Sequence, residues 1–135
     1  MASRDLSLCV EELQNKVPLI IADYNQSNTP YTITVICTLR PTAEQQALYA
    51  KGRTVPGRIV TYKDGVTSFG AHNPTPTQPL SRAVDFGVFR GKDYITQNIF
   101  YAPLGPLADK YGLIWGGSWK TLKDYPHIET KDALL

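Results

Sequence analysis

Apolar residues recur at helical spacing near the start of the chain, where Leu6, Val10, Leu13 and Val17 mark one face of a helix expected over residues 3–24. Ser3 stands where an N-cap would, Asp5 falls in the first turn, and Pro18 predicts a kink or an end near Val17. A polar turn follows at residues 25–30. The period then drops from about 3.6 to 2, and Tyr31–Cys37, rich in β-branched residues, predicts a strand. Pro41 and Gly52 bracket a second helix over Thr42–Ala50. From Gly57 to Pro79 no period survives, and Pro74, Pro76 and Pro79 remove donors and fix φ, so this stretch reads as loop. Ala83–Phe89 reads as a buried strand. Asn98–Tyr111 reads as a third helix that includes Pro103 and Pro106 and stops at Gly112, and His127–Glu129 as a last short strand. The pattern predicts one α+β domain over residues 1–135, with helices packed on a small antiparallel sheet.

Composition narrows the class without changing the fold. At 42% hydrophobic and 19% charged residues the chain is of globular type, and 135 residues suffice for a real core. A net charge of +2 with no Lys/Arg block argues against a nucleic-acid partner and suits, mildly, an anionic wall. No apolar run reaches the ~20 residues of a membrane span, and the first residues lack the basic and apolar regions of a secretory signal, so synthesis in the cytoplasm and no membrane partner are expected. A monomer is expected. Cys9 and Cys37 stand alone, outside any CxxC, and read as reduced thiols with no ligand duty.

The two histidines carry the candidate chemistry. His72 lies in the loop, Asp85 interrupts an apolar strand, and His127 follows Asp124 by three residues. An unpaired carboxylate in such a strand is costly, so Asp85 calls for a cation, a metal or several donors. Arg82 is the ordinary candidate, but alternation along a strand turns it away from Asp85. Two imidazoles and a carboxylate make up three ligands of a catalytic zinc site, which keeps its fourth position open. Asp124 then remains as a carboxylate free of ligand duty. Arg40, at the end of the first strand, could hold a substrate carboxylate or a developing oxyanion, or simply form a surface ion pair. Trp115 and Trp119 are expected to pack the cleft floor.

Taken in order, Arg40 with the glutamine-rich helix, His72, Ala83-Val84-Asp85-Phe86, the Trp115–Trp119 run and Asp124-Tyr-Pro-His127 resemble the zinc-dependent peptidoglycan peptidases of the VanY and D-alanyl-D-alanine carboxypeptidase family. Within it the likeness is greatest to the L-alanyl-D-glutamate endopeptidases of bacteriophage endolysins. The resemblance implies a zinc ion held by His72, Asp85 and His127 in a cleft on the sheet. Asp124 would be the general base and Arg40 the transition-state cation, with substrate contacts from Gln45 and Ser68. It implies cleavage of the stem peptide of bacterial peptidoglycan, in host-cell lysis after release from the cytoplasm, by a chain with no separate wall-binding domain. A D,D- or L,D-carboxypeptidase, or an inactive zinc-stabilised wall-binding module, would use the same residues. Two departures stand out. The family pattern S-x-H-x-x-G-x-A-x-D spaces histidine and aspartate seven apart, whereas here 85 − 72 = 13, a proline-rich insertion of six. Gly70 and Ser81 also occupy the places of the pattern's serine and glycine. Loop closure grows costlier only slowly with length, so an insertion between ligands alters the cleft rim before it alters the ligands.

Overall fold

In a computed structural model, residues 3–134 are described; Met1, Ala2 and Leu135 of the expected domain lie outside them. Five short strands form one antiparallel sheet: β1 (Tyr31–Cys37), β2 (Ala83–Arg90), β3 (Asp93–Ile95), β4 (Ile114–Trp115) and β5 (His127–Glu129). Their order is β1-β2-β5-β4. β3 shares the far edge of β2 with β5, pairing Val88–Arg90 while β5 pairs Ala83–Asp85. Three α-helices accompany the sheet, α1 (Glu11–Ser27), α2 (Thr42–Ala50) and α3 (Leu104–Lys110). The α+β expectation holds, and β1, α2 and β5 keep their expected bounds. No helix among the described residues is long and apolar enough to cross a membrane.

Alternation along β2 divides the molecule into a core and a site. Val84, Phe86 and Val88 turn to one face and meet Leu13, Val17, Ile20 and Tyr24 of α1, joined by Ile33, Leu104, Ala108, Leu113 and Ile128. Asp85 turns to the opposite face.

Two helices differ from expectation. The first begins at Glu11, not Ser3. Residues before it lie along the mouth of the loop: the Val10 amide donates to the Ser81 carbonyl and the Ser81 amide to the Leu8 carbonyl, with Cys9 and Ser81 in a parallel bridge. A helix there would forfeit those bonds. The Ser3 hydroxyl accepts from the Asp5 amide instead of capping α1. Pro18 does not end the helix. It lies on the exposed side, while Leu13, Val17, Ile20 and Tyr24 are buried on the other. Four such side chains at roughly 1.5–3 kcal/mol each outweigh the ~3 kcal/mol an interior proline costs. The third helix is broken into a 3-10 turn at Asn98–Phe100 and α3, because the buried Tyr101 hydroxyl is tied to the Ile95 carbonyl and Val88 amide. Pro103 and Pro106 then fall at the start of α3, where missing N–H groups cost little. Gly112, at φ +70°, supplies the left-handed residue that ends α3.

Candidate metal centre and cleft

Sheet register puts three chemically active side chains in a row. Asp85 on β2 is paired directly with His127 on β5 and with Cys37 on β1, and directly opposed residues share a face. The Cys37 partnership depends on an irregularity in β1: Val35 pairs with Phe86, Ile36 is skipped, and Cys37 pairs with Asp85. Without that bulge Cys37 would point into the core with Val35. His72 arrives from the loop, anchored by the Arg40 amide on its carbonyl and by the Arg82 amide on the Ala71 carbonyl, each at 2.8 Å. Arg82 donates its guanidinium to the Gly70 carbonyl, in keeping with its expected separation from Asp85.

The three candidate ligands converge. His72 Nε2 lies 3.1 Å from Asp85 Oδ1 and 3.2 Å from His127 Nδ1, and His127 Nδ1 lies 3.2 Å from Asp85 Oδ1. Tetrahedral coordination with bonds of ~2.0–2.1 Å separates ligand atoms by about 3.3 Å, so this triangle fits a first-row metal without rearrangement. The outer nitrogens are also fixed. His72 Nδ1 lies 2.6 Å from the Thr38 carbonyl, and His127 Nε2 lies 2.7 Å from Glu129 Oε1. Carbonyl and carboxylate oxygens only accept, so each ring carries a proton on the outer nitrogen and can present a lone pair to the triangle. Both histidines are buried.

Charge in the metal-free cluster follows. Burial works against an ionised carboxylate at Asp85, yet the adjoining histidines hold it well below the usual carboxylate range. Burial likewise opposes a charged ring at His72, but Asp85 pushes its pKa up to about 10; His127 is raised too, by Asp85 and Glu129. A divalent cation would replace those protons.

Asp124 stands beside the triangle, its Oδ2 3.6 Å from His127 Nδ1, with 44% of its side chain exposed. Partial burial and the nearby Asp85 charge raise its pKa above the usual range, while His127, His72 and Arg40 pull the other way. A tight turn fixes its place. The Asp124 amide donates to the Gly116 carbonyl, the His127 amide to the Asp124 carbonyl, the Phe86 amide to the Pro126 carbonyl and the Trp115 indole to the Tyr125 carbonyl. Gly116 admits no side chain: a Cβ there would sit 2.5 Å from the Asp124 carbonyl oxygen. Trp119 lines the cleft with its ring 5.0 Å from that of His127, whereas Trp115, also expected on the cleft floor, packs against Tyr125 outside the cavity lining.

The cleft is a cavity of about 810 Å³ that includes Arg40, His72, Asp85, Asp124, His127 and Glu129 in its lining. Arg40 is held by Gln45, whose Oε1 accepts from Arg40 Nη1 at 3.1 Å and from the Asn73 amide at 3.2 Å. The Gln45 amide donates to the Lys63 carbonyl and the Thr61 hydroxyl. Gln45 is 1% exposed. Gln45, expected to contact substrate, borders the cavity, and its amide pins Arg40 and the 61–63 wall. Ser68, the other expected contact, does not line the cavity; its hydroxyl accepts from the Asp64 amide and bonds the Asp64 carboxylate within the loop. Sequence reasoning missed Glu129, Asn73 and the Thr38 carbonyl. Only Glu129 had left a signal, since residues 127 and 129 of one strand share a face. Cys37, read as an isolated thiol, is free but adjoins the centre, Sγ 3.7 Å from His72 Nδ1.

Residues 70–130 match the sequence model of a family described as D-alanyl-D-alanine carboxypeptidase. The chain is similar to the peptidoglycan L-alanyl-D-glutamate endopeptidase CwlK of Bacillus subtilis (strain 168), with 35% identity over 96 residues, 64% of this chain and 53% of that protein. It thus spans about half the length of that relative. The crystal structure of the L-Ala D-Glu endopeptidase ChiX of Serratia marcescens shares the fold, with TM-score 0.58 at 20% identity, covering 96% of this chain and 91% of that one. The stretch that resembles the D-alanyl-D-alanine carboxypeptidase family model contains all four of His72, Asp85, Asp124 and His127.

Proposed function

We propose that this chain is a zinc metallopeptidase that hydrolyses an amide bond of the peptidoglycan stem peptide, between L-Ala and D-Glu, in the manner of a phage-type endolysin. One observation carries the catalytic part: two imidazole nitrogens and a carboxylate oxygen, 3.1–3.2 Å apart, line an open cleft with a further carboxylate, Asp124, beside them. Nitrogen and carboxylate donors with an open fourth position suit zinc. The bond is suggested by the similarity to the L-alanyl-D-glutamate endopeptidase CwlK.

His72 Nε2, His127 Nδ1 and Asp85 would hold the zinc. Bound there, zinc supplies a Lewis acid and lowers the pKa of a coordinated water toward ~7. Asp124 accepts the proton of the attacking water at Oδ2 as the carbonyl is attacked, and returns it to the leaving amine. Its raised pKa suits both halves of that exchange. Arg40, oriented by Gln45 within the cleft, stabilises the oxyanion, a contribution of about 3 kcal/mol for one well-placed donor. Trp119 covers one side of the centre and limits water there.

Mass spectrometry of purified peptidoglycan digested with the protein, with and without chelator, tests the reading. New N-terminal D-Glu that disappears with chelator and returns with zinc is expected. Release of terminal D-Ala alone would favour a carboxypeptidase, the activity that the family's description names. Intact peptidoglycan after treatment with zinc-loaded protein would leave a wall-binding module.

A further inference from the structure

We infer that Glu129 is a positioning residue that fixes His127 as an Nδ1 ligand, an inference that rests on the metallopeptidase reading above. Glu129 is 4% exposed and follows His127 by two residues on β5, so both side chains face the cleft. Its backbone is gripped on both sides, paired with Ala83 of β2 and Ile114 of β4. The carboxylate therefore stands on rigid strand, with Oε1 2.7 Å from His127 Nε2.

The consequence follows from proton bookkeeping on the ring. A neutral imidazole carries one N–H, and an ionised carboxylate can only accept. Glu129 therefore selects the tautomer protonated at Nε2 and leaves the Nδ1 lone pair directed at Asp85 Oδ1 and His72 Nε2. His72 is set the opposite way by the Thr38 carbonyl, presenting Nε2. Opposite ring nitrogens thus serve one centre because two acceptor-only oxygens, one on each outer side, hold the rings apart. A carboxylate also raises the basicity of the histidine more than a carbonyl does. A purely structural Glu129 would need only a partner for its charge; the geometry supplies a specific proton at a specific nitrogen.

The test compares wild type with E129L and E129Q, using zinc dissociation constants from chelator competition and 15N NMR of the zinc-loaded protein. Removing the acceptor in E129L is expected to weaken zinc 10–100-fold, the usual cost of losing such a partner. E129Q, whose amide oxygen can still accept from Nε2–H, should recover most of that loss. Wild type and E129Q should show a slowly exchanging His127 Nε2–H and a metal-shifted Nδ1; this readout needs no truncating variant should E129L fail to fold. Equal zinc affinity in E129L, or metal on Nε2 in the wild type, would overturn the proposal while leaving the zinc reading intact. A wild type that takes up no zinc would defeat the zinc reading itself, and this proposal with it.

Discussion

His72 and Asp85 govern how the metal-free protein should respond to pH. The His72 pKa, raised to about 10 by Asp85 against the pull of burial, means its ion-pair stabilisation is complete below the unfolded value of ~6.5 and fades as pH climbs through 10. Asp85 behaves oppositely: held below the usual range, it contributes above ~3.9 and loses that contribution as pH falls. Melting temperatures of the chelated protein should accordingly be highest between about pH 4 and 6.5 and decline on either side. A flat profile from pH 6.5 to 10 would contradict the pairing. At pH 7 His72 is protonated in this state, so zinc uptake should release at least one proton, visible as a buffer-dependent binding enthalpy in calorimetry. As the proposed general base, Asp124 would have a separable task. Asp124→Asn should lower kcat by about 10²–10⁴-fold with zinc affinity retained; loss of zinc instead would make Asp124 a ligand.

Secondary-structure elements bring these residues together, and two junctions should be sensitive. Gly116 lets the turn before β5 fold against its own carbonyl, so Gly116→Ala must displace the Asp124–His127 segment. A cost of about 1–3 kcal/mol, as for overpacking, should appear as a lowered melting temperature together with weakened zinc. The Gln45 amide joins α2, Arg40, the 61–63 wall and Asn73. Gln45→Leu removes the oxygen that holds Arg40 and should reduce kcat/KM with zinc affinity nearly unchanged, which steady-state kinetics and metal titration together would check. Elements with strong local signals were legible beforehand. β1 alternates and is β-branched, α2 has proline before and glycine after, and β5 keeps its three residues. Helix ends governed by distant partners were not, since nothing in residues 3–10 announces that Ser81 will claim their backbone groups.

Across the whole molecule, the sheet's two faces divide labour between a sealed core and a cleft, and the metal would couple them. The candidate ligands from β2, β5 and the loop converge only when the sheet is formed, so a metal that binds the folded state alone would add RT ln(1 + [L]/Kd) to stability. Zinc at a hundredfold excess over Kd should stabilise by about 2.7 kcal/mol, and chelator should remove that increment in a thermal melt. The candidate ligands could be picked out from the chain because only two histidines exist and Asp85 interrupts an apolar strand. Residue types and period two specify which chemistry a strand offers and to which face. They do not specify what lies beside it. The bulge that brings Cys37 next to Asp85, the burial that turns Gln45 inward and Ser68 into its own loop, and the choice of ring nitrogen on each histidine all arise from contacts between segments far apart in sequence. Local propensity acts over neighbouring residues, whereas register, burial and hydrogen-bond partnership are decided only when distant segments meet.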